Sequence, residues 1–271
     1  MLPFLISKKV RKIILKGSEN ANNICGAIQI FKEFGFEVHA FLKKGYGKDL
    51  GGNAMLNQLL LAESEVTWFR PRDVKGIDQE IDRYLSKQKC SDDEILILPE
   101  GSSHTGSLPG AMSLALDIQK NEEQLGITFS TIFVDAGTGF AAQALILGLG
   151  ILEHPAKICV IDIGGCEENF FQRLDDWGEV LKGWGFSGTV AKEKVRIFKP
   201  ESSKSFGSVS RQDLDFIHQL AKKSGILCDP IYSAKCLSMV KSLATHFSPP
   251  HLAIHSGGQT SLFGFTSKLL S

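Results

Sequence analysis

Short apolar runs alternate with longer segments of helical character along the whole chain. The runs are continuously apolar, which is typical of strands that are buried on both faces of a parallel sheet. We predict strands at residues 11–15, 36–42, 65–69, 94–98, 131–134, 157–163 and 251–255. Because strands and helices alternate, the pattern predicts a doubly wound, mostly parallel α/β fold, in one lobe or in two.

The segments between these strands carry the sequence signals of helix ends. We predict helices at residues 24–34, 54–62, 74–88, 111–124, 140–149, 210–223 and 233–247, and residues 167–184 form an amphipathic segment. Asn53 and Ser210 are side chains of the kind that cap a helix amino terminus, and Gly35 suits the left-handed position that follows a helix. The stretch 185–209 has no clear periodicity and is predicted to be irregular.

One strand, loop and helix stand out at residues 131–150, TIFVDAGTGFAAQALILGLG. A buried strand enters a loop that contains Gly137 and Gly139, and an Ala- and Leu-rich helix follows. Glycine lets the backbone approach an anion and the first amides of a helix point at it, so this order of elements indicates phosphate binding. The loop lacks the Gly-Lys-Ser/Thr of a Walker loop and the full Gly-x-Gly-x-x-Gly series. An ordinary strand-to-helix turn is the alternative.

Polar glycine-rich loops follow other predicted strands, at Gly17, Gly101 and Ser256. Because ligands of doubly wound sheets bind at the carboxyl ends of the strands, these loops and the one at Gly137 are candidates to line one site. We expect His255 to be a hydrogen-bonded residue at a strand end rather than a base.

Composition narrows the range of functions. Thirty Lys and Arg residues balance thirty Asp and Glu residues, and the pI is about 7.0, which predicts no nucleic-acid partner and no anionic-membrane partner. The six cysteines are scattered without a C-x-x-C pair, so we expect reduced thiols and no metal site. No run has the length of a membrane span. Together these features predict a cytoplasmic protein.

Five segments match the motifs of one known enzyme family. Residues 224–235, SGILCDPIYSAK, are similar to G-I-x-L-D-P-V-Y-x-G-K, and residues 254–263, IHSGGQTSLF, are similar to I-H-T-G-G-x-x-G-L-F. Residues 101–106, 138–139 and 17–23 are similar to G-G-S-N-x-x-G, T-G-S and G-G-x-Q-S-N-H, in the family's order. The chain thus resembles the pyridoxal-phosphate enzymes of fold type II, in the branch of 1-aminocyclopropane-1-carboxylate deaminase and D-cysteine desulfhydrase.

The resemblance implies two α/β lobes with a cofactor cleft between them. The smaller lobe is expected at residues 5–125, without the amino-terminal part of the family fold, and the larger lobe at residues 126–271, with the phosphate loop. The cofactor implied is pyridoxal 5'-phosphate, the substrate a small amino acid, and the assembly a homodimer.

The resemblance also implies roles for individual residues. Asn22 matches the asparagine that hydrogen-bonds the cofactor's ring hydroxyl, and Ser256 and Ser233 are placed to meet the ring nitrogen. Tyr232 matches a tyrosine that contacts substrate and moves protons; a turn tyrosine packed over Pro230 is the alternative. The remaining expected cofactor-binding residues are Thr138, Gly139, the amide of Phe140, and Gly257.

Three positions depart from the family pattern. The family's Schiff-base lysine lies upstream of the loop at residues 17–23, and this sequence offers no match for it there. Ala21 stands where the family has an active-site serine, and Phe206 where it has a second tyrosine. These departures leave two hypotheses open: a pyridoxal-phosphate-dependent lyase or deaminase in a truncated form, or a non-catalytic relative that binds the cofactor, or another phosphorylated metabolite, non-covalently.

Two further functional classes are disfavoured. No strand ends in a full glycine fingerprint followed by the acidic residue of a Rossmann-type nucleotide binder. No Gly-x-Ser-x-Gly elbow of a serine hydrolase is present.

Overall fold

A computed structural model describes residues 1–45, 51–70, 76–88, 91–186, 192–202 and 207–270. Phe206, the expected replacement for a second tyrosine, lies outside these ranges.

The chain divides into two compact units. The first comprises Met1–Gly106 and Thr260–Ser267, and the second comprises Ser107–Gln259 and Lys268–Ser271.

The first unit is built on a parallel sheet. Its strands are β1 (Lys12–Ser18), β2 (Glu37–Lys43), β3 (Val66–Phe69) and β4 (Ile95–Leu98), in the order β3-β2-β1-β4. The helices are α1 (Leu2–Ser7), α2 (Asn22–Glu33), α3 (Gly52–Leu60) and α4 (Ile77–Leu85). The two inner strands, β1 and β2, supply many of the fully buried side chains of its core, among them Ile13, Leu15 and Leu42.

The second unit repeats this architecture with longer helices. Its strands are β5 (Thr131–Ala136), β6 (Lys157–Asp162), β7 (Val195–Phe198) and β8 (His251–Ala253), in the order β7-β6-β5-β8 and all parallel. The helices are α5 (Leu108–Leu125), α6 (Phe140–Ile151), α7 (Phe170–Gly183), α8 (Arg211–Ser224) and α9 (Ser233–Leu243). A short helix, α10 (Thr266–Leu269), follows late in the chain. Every residue of the inner strand β5 is buried.

Helix α5 packs closely on α6. A Cβ atom placed on Gly148 would lie 2.8 Å from both the Ala115 Cβ and the Met112 carbonyl oxygen, so the two backbones approach at a distance that only glycine permits. This contact holds α5 in the second unit, which begins at Ser107.

The fold class predicted from the apolar pattern is confirmed. Both sheets are parallel, and the predicted strands are present with small shifts of their ends. The predicted cap at Ser210 is also confirmed, because its hydroxyl accepts the Asp213 N–H at 3.2 Å. The helix that it opens ends at Gly225, which is left-handed.

Two local predictions are wrong. The stretch 185–209 contains β7, a four-residue edge strand that pairs with β6. Asn53 is not a helix cap: α3 begins at Gly52, and the Asn53 side chain is buried within its first turn.

Within the described residues, none of the helices combines the length and the apolar character needed to cross a membrane.

Candidate functional site

The loop after β5 opens helix α6 in the second unit. Gly139 precedes the helix with φ 89°, and a Cβ atom at this position would lie 3.3 Å from the Cys166 Cβ. The first backbone bond of the helix joins the Gln143 N–H to the Gly139 carbonyl at 2.9 Å, so the amides before Gln143 have no acceptor within the helix. The loop from Gly137 to Gly139 therefore has the backbone geometry of an anion site.

Phe140 and Arg173 lie beside this loop. The Phe140 ring is buried and packs edge-on against Trp177 with the centroids 5.2 Å apart, which leaves its backbone amide as the group that can serve a ligand. The Arg173 guanidinium donates to the Thr138 carbonyl at 3.4 Å and is exposed to solvent. Sequence analysis missed Arg173 because it lies on α7, and only the packing of α7 brings its charge to the loop.

The turn after β6 supports the glycine loop. The Asp162 carboxylate accepts three backbone N–H groups, from Gly165 (2.8 Å), Cys166 (2.9 Å) and Glu167 (3.2 Å). A Cβ atom on Gly164 would lie only 2.2 Å from the Gly137 carbonyl oxygen. The two strand-end loops are thus in direct backbone contact, and a side chain at Gly164 would displace the candidate anion site.

Tyr232 lies against the same loop. A Cβ atom on Gly137 would lie 3.0 Å from the Tyr232 Cε1 and 3.2 Å from its hydroxyl oxygen. The backbone of Tyr232 is fixed by an N–H bond to Asp229 Oδ1 at 2.9 Å. The structure therefore brings the expected proton carrier to the expected phosphate loop.

Ser233, at the first position of α9, is turned away from solvent. It is fully buried, and its hydroxyl donates to Asp229 Oδ2 at 2.6 Å while accepting the Asp229 N–H at 2.8 Å. Asp229 also accepts the N–H groups of Ile231 (2.9 Å), Tyr232 (2.9 Å) and Ser233 (2.8 Å). The Ser233 hydroxyl thus belongs to the turn that starts the helix.

Ser256 follows β8 and is exposed. The turn around it is held by His255, whose Nε2 bonds the Leu227 carbonyl at 2.9 Å and whose Nδ1 accepts the Gly257 N–H at 3.1 Å. Gly257 has φ 84°, the left-handed region that favours glycine. The expectation that His255 is a hydrogen-bonded strand-end residue is confirmed. Of the two serines considered for a ring nitrogen, Ser256 is the accessible one.

Asp135 lies beside Ser256, near the end of β5. It is 9% exposed, and its Oδ1 atom has no hydrogen-bond partner among the described residues. Burial raises the pKa of Asp135 to about 6; the Asp229 carboxylate adds to the rise, while the nearby Ser256 hydroxyl and His255 oppose it. Sequence analysis counted Asp135 only as the first residue of the glycine loop.

Asn22 belongs to the first unit, at the start of α2. Its Oδ1 accepts a hydrogen bond from Asn53 Nδ2 at 2.5 Å, so its own NH₂ group faces away from Asn53 as a donor. Asn53 Nδ2 also donates to the Asn20 carbonyl at 3.0 Å, and its Oδ1 accepts the Thr260 hydroxyl at 2.7 Å. This chain of bonds fixes the orientation of the Asn22 amide. It also explains why Asn53 is not a cap.

Asn57, one turn further along α3, makes a separate contact with the loop at residues 17–23. It is fully buried, and its Nδ2 donates to the Glu19 carbonyl at 2.7 Å. The Glu19 carboxylate in turn accepts the Gly45 N–H at 2.5 Å. Asn57 supports the loop without contacting Asn22, which makes it a matched control for Asn53.

No protein-family model matches the chain. Curated relatives match along almost its whole length. A candidate 1-aminocyclopropane-1-carboxylate deaminase of Thermotoga maritima is 22% identical over 267 residues, which cover 98% of this chain and 83% of the relative. A D-cysteine desulfhydrase of Serratia proteamaculans is 20% identical over 278 residues, covering 97% and 82%.

Solved structures show the same relationship. A crystal structure described as an ACC deaminase homologue superposes with a TM-score of 0.83 at 23% identity, over 99% of this chain and 80% of that one. The chain resembles the ACC deaminases and D-cysteine desulfhydrases. The resemblance drawn from the five sequence segments is thereby confirmed. The crystal structure of a threonine deaminase superposes with a TM-score of 0.58 at 12% identity, over 94% of this chain and 81% of that one, so the wider fold is shared as well.

Proposed function

We propose that the chain binds pyridoxal 5'-phosphate and acts on a small amino acid as a deaminase or lyase of the ACC deaminase and D-cysteine desulfhydrase type. The observation that carries the proposal is the anion site from Gly137 to Gly139, in a chain that is similar to those proteins over 97–98% of its length. Pyridoxal phosphate supplies an electron sink that stabilises negative charge developing on a substrate carbon.

The second unit fits the phosphate of this cofactor. The amides that open α6 have no acceptors in the helix, and a Cβ atom on Gly137 or Gly139 would meet a neighbouring side chain at 3.0 or 3.3 Å. Arg173 adds a positive charge beside the loop. Thr138, Gly139 and the amide of Phe140 would therefore hold the phosphate, and the α6 dipole would favour its charge.

The other expected side chains would contact the ring of the cofactor and the substrate. Asn22, with its NH₂ group fixed as a donor by Asn53, would hold the ring hydroxyl. Ser256 would meet the ring nitrogen with Gly257 shaping its turn, whereas the Ser233 hydroxyl is committed to Asp229. Tyr232, whose ring packs on Gly137, would carry a proton to or from the substrate.

A non-catalytic relative is the second candidate. The observation in its favour is Ala21, which precedes α2 without any hydroxyl where the family has an active-site serine. This candidate keeps the phosphate site and binds pyridoxal phosphate, or another phosphorylated metabolite, without a covalent bond.

Visible absorption with added pyridoxal phosphate, followed by borohydride reduction and peptide mapping, distinguishes the two candidates. An enzyme of the proposed type gives a shifted absorption band, and reduction marks one lysine. The non-catalytic candidate gives saturable binding with no reducible adduct. Failure of the chain to bind pyridoxal phosphate at all would refute both candidates as stated for this cofactor.

A further inference from the structure

Two aspartates end neighbouring strands of the second sheet, and their partners differ. Asp162 ends β6 and accepts three backbone N–H groups. Asp135, near the end of β5, has an Oδ1 atom without a partner among the described residues. A buried carboxylate oxygen without a donor destabilises the folded chain. Asp135 therefore does not stabilise the fold in the way that Asp162 does.

The strand register explains what lies next to Asp135. Phe133 of β5 is opposite Ala253 of β8, and the ladder continues with the Ile254 N–H bonded to the Phe133 carbonyl at 2.9 Å. Continued for two residues, this register brings Asp135 opposite His255, the neighbour of Ser256, and the Ser256 hydroxyl is close enough to lower the pKa of the Asp135 carboxyl. Since a carboxylate only accepts, the Ser256 hydroxyl would be the donor in a hydrogen bond between them.

The two groups differ in their access to a ligand. The unpartnered Asp135 oxygen has almost no accessible surface, so a ligand cannot reach it directly. Ser256 is exposed at the edge of the sheet where the glycine loop also lies. A negative charge at Asp135 can therefore act on a ligand through Ser256.

We propose that Asp135 is a positioning residue that accepts the Ser256 hydroxyl hydrogen, so that the Ser256 oxygen accepts a hydrogen bond from a protonated ring nitrogen of the cofactor. The proposal rests on the proposed function, because it concerns the pyridine ring of pyridoxal phosphate. A lone serine hydroxyl offers no preference for a protonated nitrogen. A serine that donates to a carboxylate does, because the charge behind it favours the cationic form of the ring.

The groups around Asp135 are those expected of a carboxylate that a bound cation would stabilise. Its pKa is raised to about 6 by burial first and then by Asp229, and the Cys236 thiol on α9 also faces it. His255 and the Ser256 hydroxyl act in the opposite direction. A protonated ring nitrogen behind Ser256 would offset the unfavourable burial and lower this pKa.

The test compares pyridoxal phosphate with its carbocyclic analogue, in which C–H replaces the ring nitrogen. Dissociation constants of the full chain for both compounds are measured by fluorescence. We expect the wild-type chain to bind pyridoxal phosphate about tenfold or more tightly than the analogue. Asp135→Asn should reduce this preference to about twofold by weakening pyridoxal phosphate binding while the affinity for the analogue stays unchanged.

Two further variants complete the test. Ser256→Ala should abolish the same preference, and the double variant should be no worse than Ser256→Ala alone, because both residues act through one hydrogen bond. Asp176→Asn, on the exposed surface of α7, removes a charge elsewhere in the unit and should keep the wild-type preference. If Asp135→Asn fails to fold, the exposed Ser256 still tests the proposal.

Each outcome has a distinct meaning. If the wild type binds neither compound, the proposed function fails. If it binds both equally, or if Asp135→Asn and Ser256→Ala keep the preference, the proposed function stands and the role of Asp135 is refuted.

Discussion

The ends of β5 and β6 present the same residue type at the same edge of one sheet, with opposite consequences. Asp162 fastens the turn after β6 by accepting three backbone N–H groups, and that turn supports the glycine loop. Asp135 has an oxygen with no donor in the described structure, and the exposed Ser256 hydroxyl lies close to its carboxylate. Residue type and burial therefore do not separate a structural aspartate from a functional one. The number of hydrogen-bond donors around the carboxylate does.

Removal of Asp162 should have the largest effect. Asp162→Ala leaves three backbone N–H groups of the turn after β6 without their side-chain acceptor, and we expect a loss of about 3 kcal/mol in the free energy of unfolding. Urea denaturation measures it. A loss below about 1 kcal/mol would show that solvent replaces these bonds and that the comparison with Asp135 is unsound.

Asp135→Asn should change the free energy of unfolding in the opposite direction and stabilise the folded chain. Folding raises the pKa of Asp135 from 3.8 to about 6, so the ionised carboxylate destabilises the folded chain. The destabilisation is absent below about pH 4, grows as the pH rises to about 6, and is complete above that value. At about pH 7.5 the asparagine variant should therefore be more stable than the wild type by about 3 kcal/mol.

Unfolding of both chains between about pH 4 and pH 8 in the absence of ligand measures this difference. It should vanish at the acid end, where Asp135 is protonated in both states. A variant that is less stable than the wild type at the alkaline end would mean that Asp135 has structural partners after all.

The same comparison can be made in the first unit with Asn53, a buried amide whose nitrogen and oxygen both have hydrogen-bond partners. Asn53→Ala removes a bond to the loop backbone together with the bonds to Asn22 and Thr260, whereas Asn57→Ala removes one bond to the loop backbone, so we expect losses of about 2 and about 1 kcal/mol in the free energy of unfolding. Only Asn53 also orients Asn22. Asn53→Ala should therefore weaken binding of pyridoxal phosphate, while Asn57→Ala should leave it unchanged. Equal losses of affinity in the two variants would reduce Asn53 to a structural residue.

Arg173→Ala should have the smallest effect. The guanidinium is exposed beside the Thr138 carbonyl, where water screens its charge, so we expect pyridoxal phosphate to bind about threefold more weakly. Arg173→Lys should bind pyridoxal phosphate with an affinity between those of the wild type and of Arg173→Ala. A titration at two salt concentrations checks the cause, because the difference should shrink at the higher one; a difference that is independent of salt would exclude an electrostatic role.

The fold was largely predictable because parallel strands that are buried on both faces leave a strong apolar signal. β5 and β6 are of this kind. β7 was missed because it is an edge strand of four residues with Arg196 in it, and its burial on one side alone gives no continuous apolar run. Its identity as a strand depends on pairing with β6, which the sequence does not display.

The candidate site was predictable only where backbone conformation sets the residue type. Gly139 and Gly257 need left-handed backbone, so they are visible in the sequence. Asn53, Arg173 and Asp135 act through neighbours that are distant along the chain, and no local pattern distinguishes them from a cap, a surface charge or a loop residue. Ser233 shows the converse: its place beside Tyr232 suggested a ligand contact, but Asp229 takes its hydroxyl hydrogen.

The central claim is that the loop from Gly137 to Gly139 holds the phosphate of pyridoxal phosphate. The most direct test compares the affinities of the wild-type chain for pyridoxal phosphate and for pyridoxal, which lacks the phosphate. We predict saturable binding of pyridoxal phosphate that is at least about a hundredfold tighter, because several amide bonds and the helix dipole act on the phosphate alone. Equal affinities, or no saturable binding of pyridoxal phosphate, would contradict the account.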